Sequence, residues 1–261
     1  MQKTISLVIP VYNEEAHLND FLTLIDALDF SKVLEGHPLE KELVFVNDCS
    51  VDRTREIIEA FQFQTQKVKV FHQEVNQGKG AALHRGFVEA SGEFIVVQDA
   101  DFEYDPEDLK ELVLPLLKNK AEVVYGSRFK KTVTQVHRTF HYLVNRLLTT
   151  LSNGLSGLYL TDMETCYKLF KAEIIQNMQL ESNRFGFEPE ITAKLARLNI
   201  RVHELGISYF PRNYLEGKKI TWKDGVAALW HIVYFNVFAH KSTFYKKSMP
   251  DRFIAKGRQL L

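Results

Sequence analysis

Short β-branched runs alternate with helical patterns through the first half of the chain, and that alternation limits the fold more than any other feature. Ile5–Val11 reads as a strand and Glu14–Leu28 as a helix with Leu18, Phe21, Leu22 and Ile25 on one face. Leu43–Asn47 is a second strand, followed by a helix over Asp52–Phe63. Val68–His72 and Gly80–Ala90 make a third pair, Phe94–Gln98 and Pro106–Leu117 a fourth, and Val123–Gly126 a fifth strand. Repeated β-α units of this length require a mostly parallel central sheet flanked by helices, an α/β class. The 261 residues, 45% of them hydrophobic, suffice for one large α/β domain with a C-terminal elaboration.

The pattern then changes. Val136–Leu151 is helical, with Phe140, Leu143, Val144, Leu147 and Leu148 at three- and four-residue spacings, and Asn153-Gly154 is read as its stop. Cys166–Phe170 reads as a strand and Pro189–Leu198 as a helix. Arg201–Phe210 alternates like a strand or a bent pair of strands. Thr221–Ala239 is a long aromatic-rich helix, and the basic tail from Lys241 is read as partly disordered. Gly225–Ala239 is the most apolar helical stretch, yet it holds His231 and Asn236 and is too short to span a bilayer comfortably.

Charge and cysteine content exclude some classes. With 33 basic and 33 acidic residues the net charge is zero, and no global field argues for nucleic acid. Cys49 and Cys166 fit neither a disulfide framework nor a metal knuckle, so free thiols in a reducing compartment are expected. A strand begins almost at the N-terminus, leaving no room for a signal peptide. A cytoplasmic protein is expected, peripheral to a membrane if it meets one.

Three strand ends carry polar motifs. They are Pro10-Val11-Tyr12-Asn13-Glu14-Glu15, Asn47-Asp48-Cys49-Ser50-Val51-Asp52-Arg53-Thr54, and Asp99-Ala100-Asp101 after Phe94–Val97. In a parallel sheet all three fall on one carboxyl edge and converge on one crevice. Asp99 and Asp101, at alternate positions off a strand end, suit one hard divalent cation whose octahedron phosphate oxygens complete. The competing reading is an acidic turn with Asp105 capping the helix that Pro106 opens. Tyr12 offers a face for a base to stack on, and Asp48 an acceptor for a base N–H. Asp52 and Thr54 fit helix capping. Asn76-Gln77-Gly78-Lys79-Gly80-Ala81 is glycine-rich before a helix, but its spacing fits neither a Walker loop nor the dinucleotide fingerprint. Lys79 beside a helix N-terminus still favours an anion.

The order of these motifs, with Gly126-Ser127-Arg128 after them, resembles the family 2 inverting glycosyltransferases of GT-A fold. Within them the chain is most similar to the dolichol-phosphate mannose synthases and polyprenyl-phosphate glycosyltransferases, from about Ile5 to Lys219. The resemblance implies that Pro10, Tyr12, Glu14, Val46 and Asp48 hold the base and ribose of a nucleotide sugar. It implies that Asp99, Ala100 and Asp101 bind the diphosphate through Mg2+ or Mn2+, with Glu103 at a further metal-coordinating position. Arg128 matches a phosphate-contacting arginine, Arg212 and Lys218 a late element that closes over the donor, and Arg138 an acceptor-phosphate arginine. Residues 1–219 are then the catalytic domain, and 220–261 an aromatic helix and basic tail suited to a membrane surface.

Thr161-Asp162-Met163-Glu164-Thr165 departs from the synthase pattern through its extra acid, Glu164. The synthase resemblance implies GDP-mannose as the first expected donor, and Glu164 sets UDP-glucose or a UDP-N-acetylhexosamine second. A lipid phosphate acceptor needs no general base, whereas a sugar hydroxyl requires one, from Asp162, Glu164, Glu188 or Glu190. The helix Val136–Leu151, flanked by Lys130, Lys131, Arg138 and Arg146, fits either core packing or a basic amphipathic element on an anionic membrane. A nucleotidyltransferase is the less favoured alternative, since Tyr12-Asn13-Glu14 stands where such enzymes carry a glycine- and lysine-rich loop. A non-catalytic nucleotide-sugar-binding module has no need of the Asp99/Asp101 pair.

Overall fold

The computed structural model describes residues 2–36, 38–131, 139–184, 186–211 and 222–255. Seven strands run through them: β1 (Lys3–Val11), β2 (Leu39–Asn47), β3 (Lys67–His72), β4 (Phe94–Val97), β5 (Val123–Ser127), β6 (Lys168–Lys171) and β7 (Val202–Gly206). They join in the order β3-β2-β1-β4-β6-β5-β7. Ile5, Leu7, Val8 and Ile9 are all fully buried, so β1 is a continuous apolar run, as a strand covered on both faces must be. β1 pairs in parallel with β2 and β4, and β5 with β7. β6 runs against its neighbours, β4 and β5. The strand expected over Cys166–Phe170 is thus present, but it starts two residues later and is antiparallel.

Helices α1 (Leu18–Ala27), α2 (Thr54–Ala60), α3 (Lys79–Glu89), α4 (Leu109–Leu112), α5 (Leu114–Leu117), α6 (Thr139–Ser156), α7 (Ala172–Ile175), α8 (Phe187–Leu195) and α9 (Trp222–Val233) cover the sheet. Several boundaries differ from expectation for identifiable reasons. α1 begins at Leu18 because residues 14–17 close a turn in which the Leu18 N–H donates to the Glu14 carbonyl at 3.1 Å. The helix expected over Pro106–Leu117 opens as a 3-10 turn, Pro106–Asp108, with Asp105 accepting from the Glu107 N–H as the capping reading required. Pro115 has no N–H to donate, and the pattern divides at Val113 into α4 and α5.

Asn153-Gly154 does not stop α6. The helix runs on to Ser156 and ends at Gly157, whose φ of 77° suits a residue without Cβ. The Asn153 side chain instead ties down the loop after the helix, accepting from the Leu160 N–H and donating to its carbonyl. Over the described residues 241–255 the tail is ordered, against the expectation of partial disorder. Phe244 and Phe253 are buried, and their carbonyls accept from Gln179 and Asn199, each at 2.8 Å. α9 continues into a π-helical turn, Tyr234–Phe238.

α8 buries almost every side chain, charged ones included. Glu190 and Lys194 are both fully buried and pair at 2.6 Å. Glu190 also accepts the Glu181 and Ser182 N–H groups, while the Lys194 ammonium faces the Phe235 and Phe244 rings. A buried pair persists only with its remaining hydrogen bonds satisfied. Here that requirement fixes the 181–184 loop to α8.

Candidate active site

The carboxyl ends of β1, β2 and β4 lie side by side. Val11 stands opposite Asn47, and Val8 opposite Val97. Pairing continues beyond the strands, with Asp48 N–H donating to Val11 and Gln98 N–H to Val8. From β1 the strand order runs to β2 and β3 on one side and to β4 on the other, which opens a ligand crevice at this edge. The three polar motifs therefore do converge.

The first two motifs are laced together. Asn13 adopts φ 53°, its N–H donates to Ser50 Oγ, and its Oδ1 accepts from the Val51 N–H. Asp52 accepts from the Thr54 N–H at the start of α2 and from the Glu15 N–H of the first motif, so beyond the capping expected of it the side chain also joins the two motifs. Thr54 does not cap α2; its Oγ1 accepts from the Glu14 N–H. These bonds leave Tyr12 exposed on the rim, with Pro10 and buried Val46 in the strands behind.

Asp48 is buried and takes three donors from the glycine-rich loop: Asn76 Nδ2 at 2.9 Å, Gln77 N–H at 2.8 Å and Gly78 N–H at 2.7 Å. The sequence suggested a base contact for Asp48; the structure shows it anchoring this loop. The glycines serve a close approach. A Cβ on Gly80 would stand 2.0 Å from the Ser182 carbonyl oxygen, and Ala81 N–H donates to Asn183. Lys79, at the head of α3, then points its ammonium at Asp99, 2.8 Å from Oδ1, with Glu188 3.9 Å away. Burial opposes the Lys79 charge, but Asp99, Cys166 and Glu188 outweigh it and hold the ammonium well above its usual pKa.

Asp101 and Glu103 continue the chain from Asp99 along the crevice. Asp101 Oδ1 accepts from the Glu103 N–H at 3.0 Å, and Glu103 Oε2 from Tyr209 Oη at 3.0 Å. Tyr209 arrives because the chain after β7 bends to bridge Tyr104, the bent pair that the Arg201–Phe210 alternation allowed. No three acidic, histidine or cysteine side chains gather as a metal cluster among the described residues. Glu103 therefore does not complete a three-acid cluster with Asp99 and Asp101 in this arrangement. The two aspartates still fit a hard cation, since both offer carboxylate oxygens at one strand end, although the Lys79 ammonium would compete with it for Asp99.

Arg128, past the end of β5, is clamped by Asp162. Nε lies 2.7 Å from Oδ2 and Nη2 2.8 Å from Oδ1, and the Arg128 N–H also donates to Oδ2. Asp162 is fully buried, its own N–H held by Glu204, and the Tyr209 ring lies 5.2 Å from the guanidinium. Beside this pair sit Glu164 and the fully buried Lys168. Burial, then the neighbouring Glu188, push the Glu164 carboxyl up to about 8. Burial pulls Lys168 down, against Glu188 and Glu164.

Pro10, Tyr12, Glu14, Val46, Asp48, Lys79, Asp99, Ala100, Asp101 and Arg128 all lie on this edge. Arg138, Arg212 and Lys218 lie outside the described residues. Sequence reasoning missed Tyr209, Lys168 and the Lys79–Asp99 pair. A lysine so soon after Gly78 hinted at the last, but nothing in the spacing reveals which anion it meets.

Comparison with known proteins agrees with this geometry. The family model for glycosyl transferase family 2 matches residues 6–178. A dolichyl-phosphate beta-glucosyltransferase of Trichomonas vaginalis is 31% identical over 83% of this chain and 68% of its own. An undecaprenyl-phosphate mannosyltransferase of Micrococcus luteus is 28% identical over 81% of this chain and 85% of its own. Among solved structures, glucosyl-3-phosphoglycerate synthase from Mycobacterium tuberculosis, in complex with Mn2+, uridine diphosphate and phosphoglyceric acid, superposes with TM-score 0.65. It is 19% identical and aligned over 91% of this chain and 80% of that one. The fold is GT-A.

Proposed function

The chain belongs to glycosyl transferase family 2, and from that membership we propose that it transfers a hexosyl group, with inversion, from a nucleotide-diphosphate sugar to a polyprenyl phosphate at a membrane surface. The observation that carries this is the placement of Lys79 and Arg128 around the Asp99/Asp101 strand end. Each cation is already paired, Lys79 with Asp99 and Arg128 with Asp162, so a departing diphosphate would meet N–H donors held in place by carboxylates rather than net positive charge. Mg2+ or Mn2+ held by Asp99 and Asp101 would add Lewis acidity at the leaving group. Tyr12 stacks the base, and Asp48 acts on the nucleotide through the loop that it anchors.

The glucosyltransferase relative with the broader coverage of this chain supports UDP-glucose ahead of GDP-mannose, the reverse of the order set by sequence. A phosphate acceptor is already an anion and needs positioning rather than deprotonation; guanidinium groups suit that task. The carboxylates available as a base are few, since Asp162 is held by Arg128 and Glu190 by Lys194. Glu164 and Glu188 remain, and they keep a hydroxyl acceptor as the second reading.

The membrane part rests on α6 and α9, which pack together and turn apolar side chains outward. Leu143, Leu147, Val226 and Trp230 are each more than half exposed, with Arg146 on the same helix as the first two. Among the described residues no helix is long and apolar enough to cross a bilayer, so a surface contact is the fitting mode. Incubating the protein with UDP-glucose or GDP-mannose, Mg2+ or Mn2+, and polyprenyl phosphate in vesicles tests the proposal. A β-linked lipid product from an α-linked donor is expected. Transfer only to a sugar hydroxyl, or none to either acceptor, would overturn it.

A further inference from the structure

Among the described residues, the side chains behind the phosphate edge carry one acid too many. Lys79 pairs with Asp99 and Arg128 with Asp162. Lys168, fully buried, donates to the Thr165 carbonyl, lies over the Tyr125 ring and is drawn toward Glu188 and Glu164. Three cations thus face four carboxylates, and the surplus acid is Glu164. Its Oε1 is sealed from solvent without a hydrogen-bond partner, although the residue as a whole keeps some exposure.

We propose that Glu164, backed by Glu188, is the residue that reads a hydroxyl of the transferred hexose and so sets which sugar the enzyme accepts. This rests on the glycosyl-transfer reading of the same crevice. Glu188 lies 3.9 Å from the ammonium that holds Asp99, and Glu164 neighbours both Glu188 and Arg128. The two acids therefore sit just behind the edge that the proposed function gives to the diphosphate, and so beside the place it gives to the attached sugar. A hydroxyl both donates and accepts a hydrogen bond, and a protonated carboxyl offers both in return. The neighbours that set the Glu164 proton are Glu188 and Asp162 on the acidic side, Lys168 and Arg128 on the basic side. Around neutral pH this environment favours the protonated form. Polar groups built to pair with a hydroxyl reject analogues in which it is absent or misplaced, because they are left unpaired.

Calorimetric titration of the full chain with Mg2+ tests the assignment, comparing UDP with UDP-glucose and GDP with GDP-mannose. In the wild-type protein one sugar adds affinity beyond its own nucleotide. Glu164→Ala should erase that increment, by roughly tenfold or more, and leave the nucleoside diphosphate affinity within about twofold. Glu164→Gln, which keeps a donor and an acceptor, should retain most of it, and thermal melting of both variants checks that they fold. An increment that survives Glu164→Ala overturns the proposal, as does an equal loss for nucleotide and nucleotide sugar. Wild-type protein that shows the increment but transfers nothing to polyprenyl phosphate sinks the acceptor reading instead.

Discussion

Lys79 Nζ stands 2.8 Å from Asp99 Oδ1, so the first aspartate of the strand-end pair meets an ammonium delivered by the glycine-rich loop. Asp48 sets that geometry from 29 to 30 residues away by gripping the Gln77 and Gly78 N–H groups. One loop thus links the second strand end to the fourth. The link explains why the glycine-rich segment matches no phosphate-loop spacing. Its glycines admit the 181–184 backbone, and its lysine serves a carboxylate.

Replacing Lys79 with Met should therefore hurt transfer more than folding. Removing one positioned charge from a transition-state site costs on the order of 10²–10³ in kcat. With its ammonium gone, Asp99 should also bind cations at lower concentration. Transfer rates measured across an Mg2+ titration check both effects. An unchanged kcat would show that Lys79 only balances charge.

Gly80→Ala tests the loop by sterics alone. The added Cβ would meet the Ser182 carbonyl at 2.0 Å, a backbone atom tied to α8 through Glu190. The 181–184 loop must then shift, with Lys79 carried along. The expected result is a stability loss of about 1–3 kcal/mol by denaturant titration, together with weaker donor binding.

Arg128→Lys should keep the fold and lose most activity. Asp162 grips Arg128 through two guanidinium nitrogens, a geometry that one ammonium cannot reproduce. A fall of about 10² in kcat is expected, with nucleotide affinity changed less. Asp162→Asn should instead appear in stability, since breaking a buried pair costs about 3–5 kcal/mol. Steady-state kinetics and chemical denaturation of the two variants separate the roles.

Much of this site is legible in sequence, because strand ends announce themselves. Phe94–Val97 has to end a buried strand, and the residues after it have to emerge at the carboxyl edge. That logic alone places Asp99, Asp101, Asp48 and Tyr12. Their partners are not legible. Tyr209 reaches Glu103 across 106 residues, through a bend that alternation alone cannot aim. Gly157 rather than Gly154 ends α6, because Asn153 commits its amide to Leu160 and leaves the helix free to continue. The antiparallel sense of β6 is hidden as well, since a four-residue strand reading Lys-Leu-Phe-Lys looks alike in both directions. The tail from Lys241 reads as partly disordered because it lacks periodicity, yet buried Phe244 and Phe253 fix its described residues.

Stability should respond to pH in two opposite ways. The Arg201 side-chain hydrogen bond holds the Glu122 carboxyl down to about 2. Its contribution is fully present above the unfolded value of about 4.3 and is lost as pH falls through about 2. Glu164 is raised to about 8, so its folded form binds the proton more tightly than the unfolded chain does. Stability from this group falls as pH rises from about 4.3 to about 8, by at most about 1.4 kcal/mol per unit. Glu122→Gln should therefore flatten the acid limb of a thermal-melting profile. Glu164→Gln should raise the melting temperature relative to wild type at pH 8 and not at pH 4.

The outward face of α6 and α9 gives the last prediction. Leu147 and Trp230 are 61% and 59% exposed, although the Trp230 ring stacks with Tyr234 and Phe238 rather than standing alone. Burying such side chains in an acyl boundary is worth roughly 1.5–3 kcal/mol each, and glutamate at either position cancels that gain and repels anionic lipid. The Leu147→Glu/Trp230→Glu double variant should lose about 10²-fold or more in vesicle partitioning. Flotation with anionic vesicles measures this directly. Because neither residue is among those that hold the nucleotide sugar, affinity for it should hold, and transfer to a short water-soluble prenyl phosphate should persist while transfer to vesicle-borne acceptor falls. Equal flotation of variant and wild type would rule out this face as the membrane contact.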